Sequence, residues 1–230
     1  MRRAAVLIVA IVFGVPWWQG SPIAGVAGSD AVQPALERFI ARPDEPIKEY
    51  RAIRHMEAEN HRFNLRGSLD AVTALDADGH FSYTILREEG SDYVRSKVLR
   101  PVLENEEKLF ATTDPSRAAL TPLNYELNAA EPAEPGVVRL LAKPRRREIS
   151  LVDGSVFVTT EDADLVRVEG RLAKNPSFWT TRVDVVRRYE RLSGIRVPVR
   201  LDTTAQIRIA GASTMSVVYD YEMVNGVSMK

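Results

Sequence analysis

The 230-residue chain contains no cysteine. It can therefore form no disulfide and no thiolate metal site, and it offers no cysteine for lipidation of a processed N-terminus. A chain of about 200 residues can form a hydrophobic core large enough to fold without covalent cross-links. The absence of cysteine is thus compatible with an exported, self-supporting domain.

An excess of positive charge is also missing, since 31 lysines and arginines face 31 aspartates and glutamates. Without Arg2 and Arg3 the balance becomes 29 basic to 31 acidic residues, a net charge near −2. A nucleic-acid-binding protein needs a basic footprint to neutralise phosphates. The composition therefore argues against a nucleic acid as the partner.

A long hydrophobic run is absent as well, because the apolar run Ala4–Val15 is shorter than the roughly 20 residues that span a bilayer. It follows Arg2 and Arg3, and the small residues of 25–27 follow it, which is typical of a secretory signal peptide. We predict a signal peptide over residues 1–27, and cleavage after Ala31 is an alternative. Trp17 and Trp18 would also suit an uncleaved N-terminal membrane anchor with an aromatic interfacial end.

Catalytic and metal-binding motifs are not evident. There is no G-x-S-x-G, and none of the three histidines (His55, His61, His80) has an evident nucleophile nearby in sequence. His55 and His61 would share one face of a strand, but a zinc site would lack a third ligand at a recognisable spacing. Asp76-Ala77-Asp78-Gly79 begins like a calcium loop, yet Arg87 stands where the loop needs a glutamate, so a hairpin turn is the better interpretation. We expect no enzyme, no cofactor and no metal.

Unbroken alternation of apolar and polar residues is the strongest pattern that the chain does contain. From Ile195 to Ile209 every second residue is apolar or small, with Thr203 as the only hydroxyl, and the residues between are mostly polar. Period-two alternation predicts a strand with one apolar face, here far longer than usual. Pro198 cannot donate to a sheet, so we expect a bulge or an unpaired residue there.

The remaining segments predict an antiparallel sheet with two helical regions. Short connections such as Ser193-Gly194 can join only antiparallel neighbours. Helices are predicted over 34–41 and over 91–110, where Pro101 should kink or split the helix. Residues 129–136 are expected to form a proline-rich loop. Strands are predicted over 47–60 (with a helix as the alternative), 69–75, 81–86, 137–143, 148–153, 156–160, 164–173, 178–192, 195–209 and 213–223.

The apolar face of such a sheet has to be covered. The sheet could close into a barrel, wrap around the helices as an open half-barrel, or bury its face in a partner or lipid. Alternating opposite charges on the outer face fit a transmembrane barrel badly. We therefore predict a mainly β (α+β) fold, a curved antiparallel half-barrel wrapped around two or three helices, as a single domain over residues 32–226.

Residues 164–179, followed by Arg187-Arg188-Tyr189-Glu190 and Ile195-Arg196-Val197-Pro198, carry a family likeness. They resemble bacterial exported proteins of the outer-membrane lipoprotein-sorting type, which share the fold of the periplasmic lipoprotein carriers (LolA-like). The resemblance covers about residues 120–225. It implies an incomplete barrel around helices, a hydrophobic concave cavity for acyl chains, and a periplasmic location. Relatives of this fold also include envelope sensors, so the fold does not decide the function.

The leading hypothesis is accordingly a monomeric periplasmic carrier that holds lipid or lipoprotein acyl chains. The alternative is an envelope sensor or assembly factor that acts on a protein partner without a lipid cargo. The expected contacts of a lipid headgroup or acidic partner are Arg145, Arg146 and Arg147, which would otherwise form a charged loop. The expected cavity-lining residues are Trp179, Val183, Val185, Val197, Val199, Leu201, Ile207, Met215, Val217, Tyr219 and Tyr221.

Overall fold

The computed structural model describes residues 32–42, 45–112 and 115–229. The predicted signal peptide and its two candidate cleavage sites lie outside these described residues.

In the described part of the chain, eleven strands form one antiparallel sheet. Apolar and polar residues alternate along most of them, and the apolar ones are buried on one face. The predicted strand over 47–60 is confirmed, with slightly shorter bounds. The strands are β1 Tyr50–Asn60, β2 Leu65–Leu75, β3 Phe81–Gly90, β4 Tyr125–Glu134, β5 Val137–Pro144, β6 Val152–Thr159, β7 Leu165–Leu172, β8 Thr180–Leu192, β9 Ile195–Ile207, β10 Gly211–Val224 and β11 Val227–Ser228.

The sheet runs in the order β3-β2-β1-β10-β9-β8-β7-β6-β5-β4, and β11 pairs with β10. Strand β1 joins β10 across the sequence, with Tyr50 opposite Val224 and Asn60 opposite Ser213. The sheet is curved and does not close, since β3 and β4 remain at its two edges. The predicted half-barrel wrapped around helices is confirmed.

Among the residues that the structure describes, two helical regions occupy the concave side. Helix α1 (Val32–Ala41) buries Val32, Ala35, Leu36 and Phe39 against β4 to β7. The second region comprises α2 (Asp92–Val94), a π-helical segment (Arg95–Leu99) and α3 (Arg100–Thr112), and it packs on β1, β2 and β8 to β10. The predicted break corresponds to the change from π to α geometry between Leu99 and Arg100, immediately before Pro101. Within the described ranges, none of these helices has the length and apolarity needed to span a bilayer.

The antiparallel connections give the half-barrel two distinct ends. We call the near end the one that holds the β1–β2 turn (61–64), the β7–β8 connection (173–179) and the β9–β10 turn (208–210). The far end holds the β2–β3 turn (76–80), the β6–β7 turn (160–164) and the β8–β9 turn (193–194). At the far end Ser193 and Gly194 both have positive φ, as a two-residue hairpin requires.

Two expectations for the middle of the chain are wrong. Residues 129–136 were expected as a loop, but most of them belong to β4, which pairs with β5 through two register shifts. Strands 148–153 and 156–160 were expected on either side of a turn at Asp153-Gly154, but one strand, β6, passes straight through. Gly154 allows β6 and β7 to approach each other closely, because a Cβ at this position would lie 2.5 Å from the Gly170 Cα on β7.

Candidate functional site

The inward side chains of the three long strands β8, β9 and β10 are mostly packed against other parts of the chain. Val183, Val185, Leu201 and Val217 are buried in one cluster with Val94, Leu99, Val102 and Leu103 of the helical region. Val197 and Tyr221 are buried in a second cluster, where Val199 and Tyr219 pack partly buried. Most of the expected cavity-lining residues therefore lie on the concave face, as the alternation predicts, but contribute to the core.

An open cavity of about 310 Å³ remains at the near end, and its lining is mainly apolar. It lies between the π-helical segment and the ends of β1, β9 and β10. Of the expected lining residues, only Ile207 and Met215 reach it. The cavity is lined by Ala58, Glu59, Asn60, Phe63, Leu65, Tyr93, Val94, Lys97, Val98, Thr203, Ala205, Ile207, Ala210, Ser213, Thr214 and Met215.

Side-chain size explains the position of the cavity. On the sheet side the lining positions Ala58, Thr203, Ala205 and Ser213 carry small side chains, whereas Val183 and Leu201 fill the middle of the sheet. The helical region therefore packs closely at the centre and leaves unfilled space near its start. The volume lies at the lower end of the roughly 300–1,000 Å³ that is typical of small-molecule sites.

Trp179 does not line the cavity. The prediction placed it on the face of Val183 by counting in twos along 178–192, but β8 begins only at Thr180 and its pairing shifts between Thr180 and Arg182. Thr180 is buried in consequence, and Trp179 is 40% exposed with its ring edge-to-face against Phe178 at 5.6 Å. A bulge thus overrides the simple alternation.

A buried ion pair lies on the same concave face, closer to the far end. Arg54 of β1 reaches Glu106 of α3 with both terminal nitrogens; Nη2 donates to Glu106 Oε1 at 2.9 Å and to the Tyr50 hydroxyl at 2.7 Å. The Arg54 guanidinium also lies 4.8 Å from the ring centre of Tyr219. Only 2% of Arg54 and 4% of Glu106 are exposed. This pair joins the helix to the sheet.

The electrostatics of this region follow from burial and pairing. Burial alone would lower the pKa of Arg54, but the Glu106 carboxylate raises it well above its ordinary value, so Arg54 is charged. Arg187, on the inward face of β8, is also buried, and the pKa of its neighbour Tyr189 is raised to about 12 by burial. The concave face therefore combines an apolar cavity at one end with buried, charged groups towards the other.

Two of the three arginines after β5 form hydrogen bonds within the chain, and the third side chain is exposed. Arg145 Nε donates to the Pro122 carbonyl at 2.8 Å, and Arg146 binds the Asn124 side chain at 2.7 Å, so both hold the loop before β4. Arg147 is exposed. A role of the three in headgroup or partner contact stays a prediction.

The aspartates at the β2–β3 connection form a hairpin turn, as expected. Asp76 Oδ1 accepts hydrogen bonds from the backbone N–H groups of Asp78 (3.0 Å) and His80 (2.8 Å). The bond from the His80 backbone is the largest influence that lowers the pKa of Asp76. Asp76, Asp78 and His80 could bring three ligand atoms together, but all three are exposed, and their contacts are those of a turn.

The sequence interpretation missed several residues of this site. Phe63 lies in a turn, Leu65 is the first residue of β2, and Tyr93 and Val98 lie in the helical region, so no alternation marks these residues as neighbours of β9. Arg54 had a usable signal: it is a charged residue at an inward position of the alternation in 50–58, which indicates a buried partner.

The chain is similar to solved structures over 87% of its length. No protein-family model matches the chain, and no curated protein matches it. Among solved structures, a DUF1329 family protein from Desulfovibrio piger is similar, with a TM-score of 0.43, 10% identity, and coverage of 87% of this chain and 96% of that one. An outer membrane lipoprotein-sorting protein domain from Vibrio parahaemolyticus is similar with a TM-score of 0.38, 12% identity, and coverage of 87% and 93%. The second carries the name of the class that residues 164–200 resemble. With TM-scores below 0.5, neither likeness assigns a function to this chain.

Proposed function

We propose that the chain is an exported, periplasmic carrier-like protein that holds a lipid or lipoprotein acyl chain non-covalently. The observation that carries the proposal is the apolar cavity of about 310 Å³ between the helical region and β1, β9 and β10. Storage of an acyl chain needs no covalent step, so the proposal includes no enzymatic activity.

The driving force would be burial of methylene groups against the apolar lining. Each buried CH₂ contributes about 0.8 kcal/mol before the cost of ordering the chain is subtracted. Ile207, Met215, Leu65 and Val98 supply the apolar walls, whereas Lys97 and Glu59 stand among the lining residues as polar groups. A lipid with an apolar tail and a polar head would match this division.

The periplasmic location is part of the same proposal and rests on the sequence. Arg2, Arg3 and the apolar run up to Val15 predict export, and the absence of cysteine places no demand on the redox state of the compartment.

The test is native mass spectrometry with lipid extraction on protein expressed with its leader. We expect a co-purifying lipid, and we expect added lipid to raise the melting temperature. Val98→Trp would fill the cavity and should abolish both effects, while Glu104→Trp on the exposed side of α3 is the matched control. Failure to find bound lipid, together with no thermal shift on addition, would refute the proposal.

A second function is favoured by a separate observation. Most of the concave face is filled by the chain's own side chains, including Leu99 and Leu103 from the helices. An envelope sensor or assembly factor needs no cargo cavity. It would act on a protein partner through its surface, and a filled concave face is compatible with that role. In that case V98W should leave the biological activity intact.

A further inference from the structure

Exposed apolar side chains are concentrated at the near end of the half-barrel. Phe63 lies in the β1–β2 turn, Tyr93 at the start of the helical region, Phe178 and Trp179 before β8, and Ile209 in the β9–β10 turn. All five are at least 40% exposed, and Phe178 reaches 76%. Isolated exposed apolar residues are ordinary, but five at one end of a sheet form a surface that needs an explanation.

These residues belong to connected elements. The backbone N–H of Arg208 donates to the Trp179 carbonyl at 2.9 Å, and the Arg208 guanidinium lies 5.0 Å from the Phe178 ring centre. The side-chain amide of Asn60 donates to the Ala210 carbonyl at 2.9 Å, which ties the β1–β2 turn to the β9–β10 turn. Phe63 and Tyr93 also line the cavity, so the exposed aromatic rings stand at its mouth.

The charges of the connections differ in sign between the two ends. The near-end connections carry Arg62, Lys174, Arg208 and the cluster 145–147. Glu148, the acidic residue in that connection, is occupied by Arg117 and Arg146. The described far-end turns 76–80, 160–164 and 193–194 contain no lysine or arginine of their own; Asp162 and Asp164 are paired there with Arg42 and Arg191, and Asp76, Asp78 and Glu161 are further acidic residues of these turns. The near end therefore presents a surplus of positive charge around an apolar surface, and the exposed Asp92 beside Tyr93 lies 3.5 Å from Arg95.

We propose that this near-end rim, formed by Arg62, Phe63, Tyr93, Phe178, Trp179, Arg208 and Ile209, docks on the surface of an anionic lipid bilayer. Aromatic rings with an apolar body suit the bilayer interface, while arginines extend to the headgroups. Each basic residue near an anionic membrane adds attraction that salt screens. The acidic far end would point away from the membrane, which fixes the orientation of the molecule.

Docking in this orientation places the mouth of the cavity against the lipid. An acyl chain could then pass between bilayer and cavity without crossing water. The docking surface is a separate claim from the cargo, and the two fail in different assays: vesicle binding tests the surface, and lipid extraction tests the cavity.

The experiment measures binding of the exported protein to vesicles by co-sedimentation. We compare phosphatidylcholine alone with phosphatidylcholine containing 30 mol% phosphatidylglycerol, a composition chosen at roughly the anionic content that attracts basic segments. We expect binding to the anionic vesicles, weakened when the salt concentration is raised from about 0.1 M to about 0.5 M. Trp179 supplies a second readout, because the only other tryptophans, Trp17 and Trp18, lie in the predicted signal peptide; its emission should shift to shorter wavelength on binding.

Two pairs of variants locate the surface. Arg62→Glu with Arg208→Glu should lower the partition coefficient on anionic vesicles by about tenfold or more, whereas the charge-matched control, Lys48→Glu with Lys108→Glu, lies away from the near end and should not. Phe178→Ser with Ile209→Ser should also weaken binding, whereas Leu86→Ser with Val218→Ser, on strands away from the turns, should not. Circular dichroism checks that each variant is folded.

Three results would overturn the proposal. They are equal binding to both vesicle types, no binding to anionic vesicles, and binding that the near-end variants leave unchanged. Capture of an acidic protein through the same arginines, without vesicle binding, would count among them, since it would mean that the surface serves a protein partner.

Discussion

Removal of the Glu106 carboxylate should destabilise the protein by about 3 kcal/mol, or about 6–12 °C in Tm. Glu106→Gln keeps the shape of the side chain and one acceptor oxygen. It removes one of the two charge-assisted hydrogen bonds to Arg54, each worth about 1.5–3 kcal/mol, and leaves a buried guanidinium without its counter-ion. Apart from that one oxygen, the Arg54 guanidinium keeps the Tyr50 hydroxyl and the rings of Phe81 and Tyr219 as contacts among the described residues, and none of these carries a negative charge.

Urea unfolding followed by circular dichroism measures this change. The matched control is Glu57→Gln, which breaks the pair with Arg66 at the surface, where both side chains are more than half exposed, and should cost at most about 1 kcal/mol. Arg54→Met combined with Glu106→Leu should recover most of the loss, because no unpaired charge remains buried. A cost for E106Q no greater than that for E57Q would refute the view that this pair fastens α3 to the sheet.

Three further predictions concern pH, backbone packing and processing. The hydrogen bond and charge of Arg100 lower the pKa of Glu88; the unfolded chain therefore binds more protons, and the free energy of unfolding should fall as the pH drops below about 4.3, with a shallower slope in Glu88→Gln. Identical slopes would contradict this assignment. Gly154→Ala should lower the free energy of unfolding by about 1–3 kcal/mol, because the new methyl group would lie 2.5 Å from the Gly170 Cα of the neighbouring strand β7; an unchanged midpoint of urea unfolding would contradict this. The intact mass of exported protein should correspond to cleavage after Ala27; a full-length mass would instead support the anchor.

The architecture was predictable because the period-two alternation of apolar and polar residues extends over many residues of each long strand. Along β9 and β10 the buried positions follow the alternation, so the direction of each inward side chain and the antiparallel order could be derived. The irregularity at Pro198 was also predictable: Tyr189 pairs with Pro198 and Arg188 with Arg200, which leaves Val199 without a partner in β8. Proline has no N–H to donate, and this is a property of the residue rather than of the fold.

Other features depended on contacts that the pattern does not contain. Strand β9 ends at Ile207, although the alternation in the sequence continues to Ile209. Ile209 was therefore expected on the inward face but lies exposed in a turn. Asp153-Gly154 was interpreted as a turn, because the close approach of Gly154 to Gly170 exists only once β6 and β7 are paired. Trp179 was misplaced by a single bulge.

The candidate site was only half predictable for the same reason. The apolar face was identified, but the helical region decides which part of it stays open, and its packing against Leu201 and Val217 cannot be derived from strand alternation. Hence Ile207 and Met215 reach the cavity, and the other expected lining residues do not.

Photo-crosslinking would show whether an acyl chain occupies the near-end cavity. A fatty acid with a photoreactive group in its tail is added to the protein, and the modified peptides are mapped by mass spectrometry. We expect adducts on Leu65, Val98, Ile207 and Met215, and loss of these adducts in V98W. Adducts confined to exposed strand residues such as Leu86, or no adducts in folded protein, would contradict it.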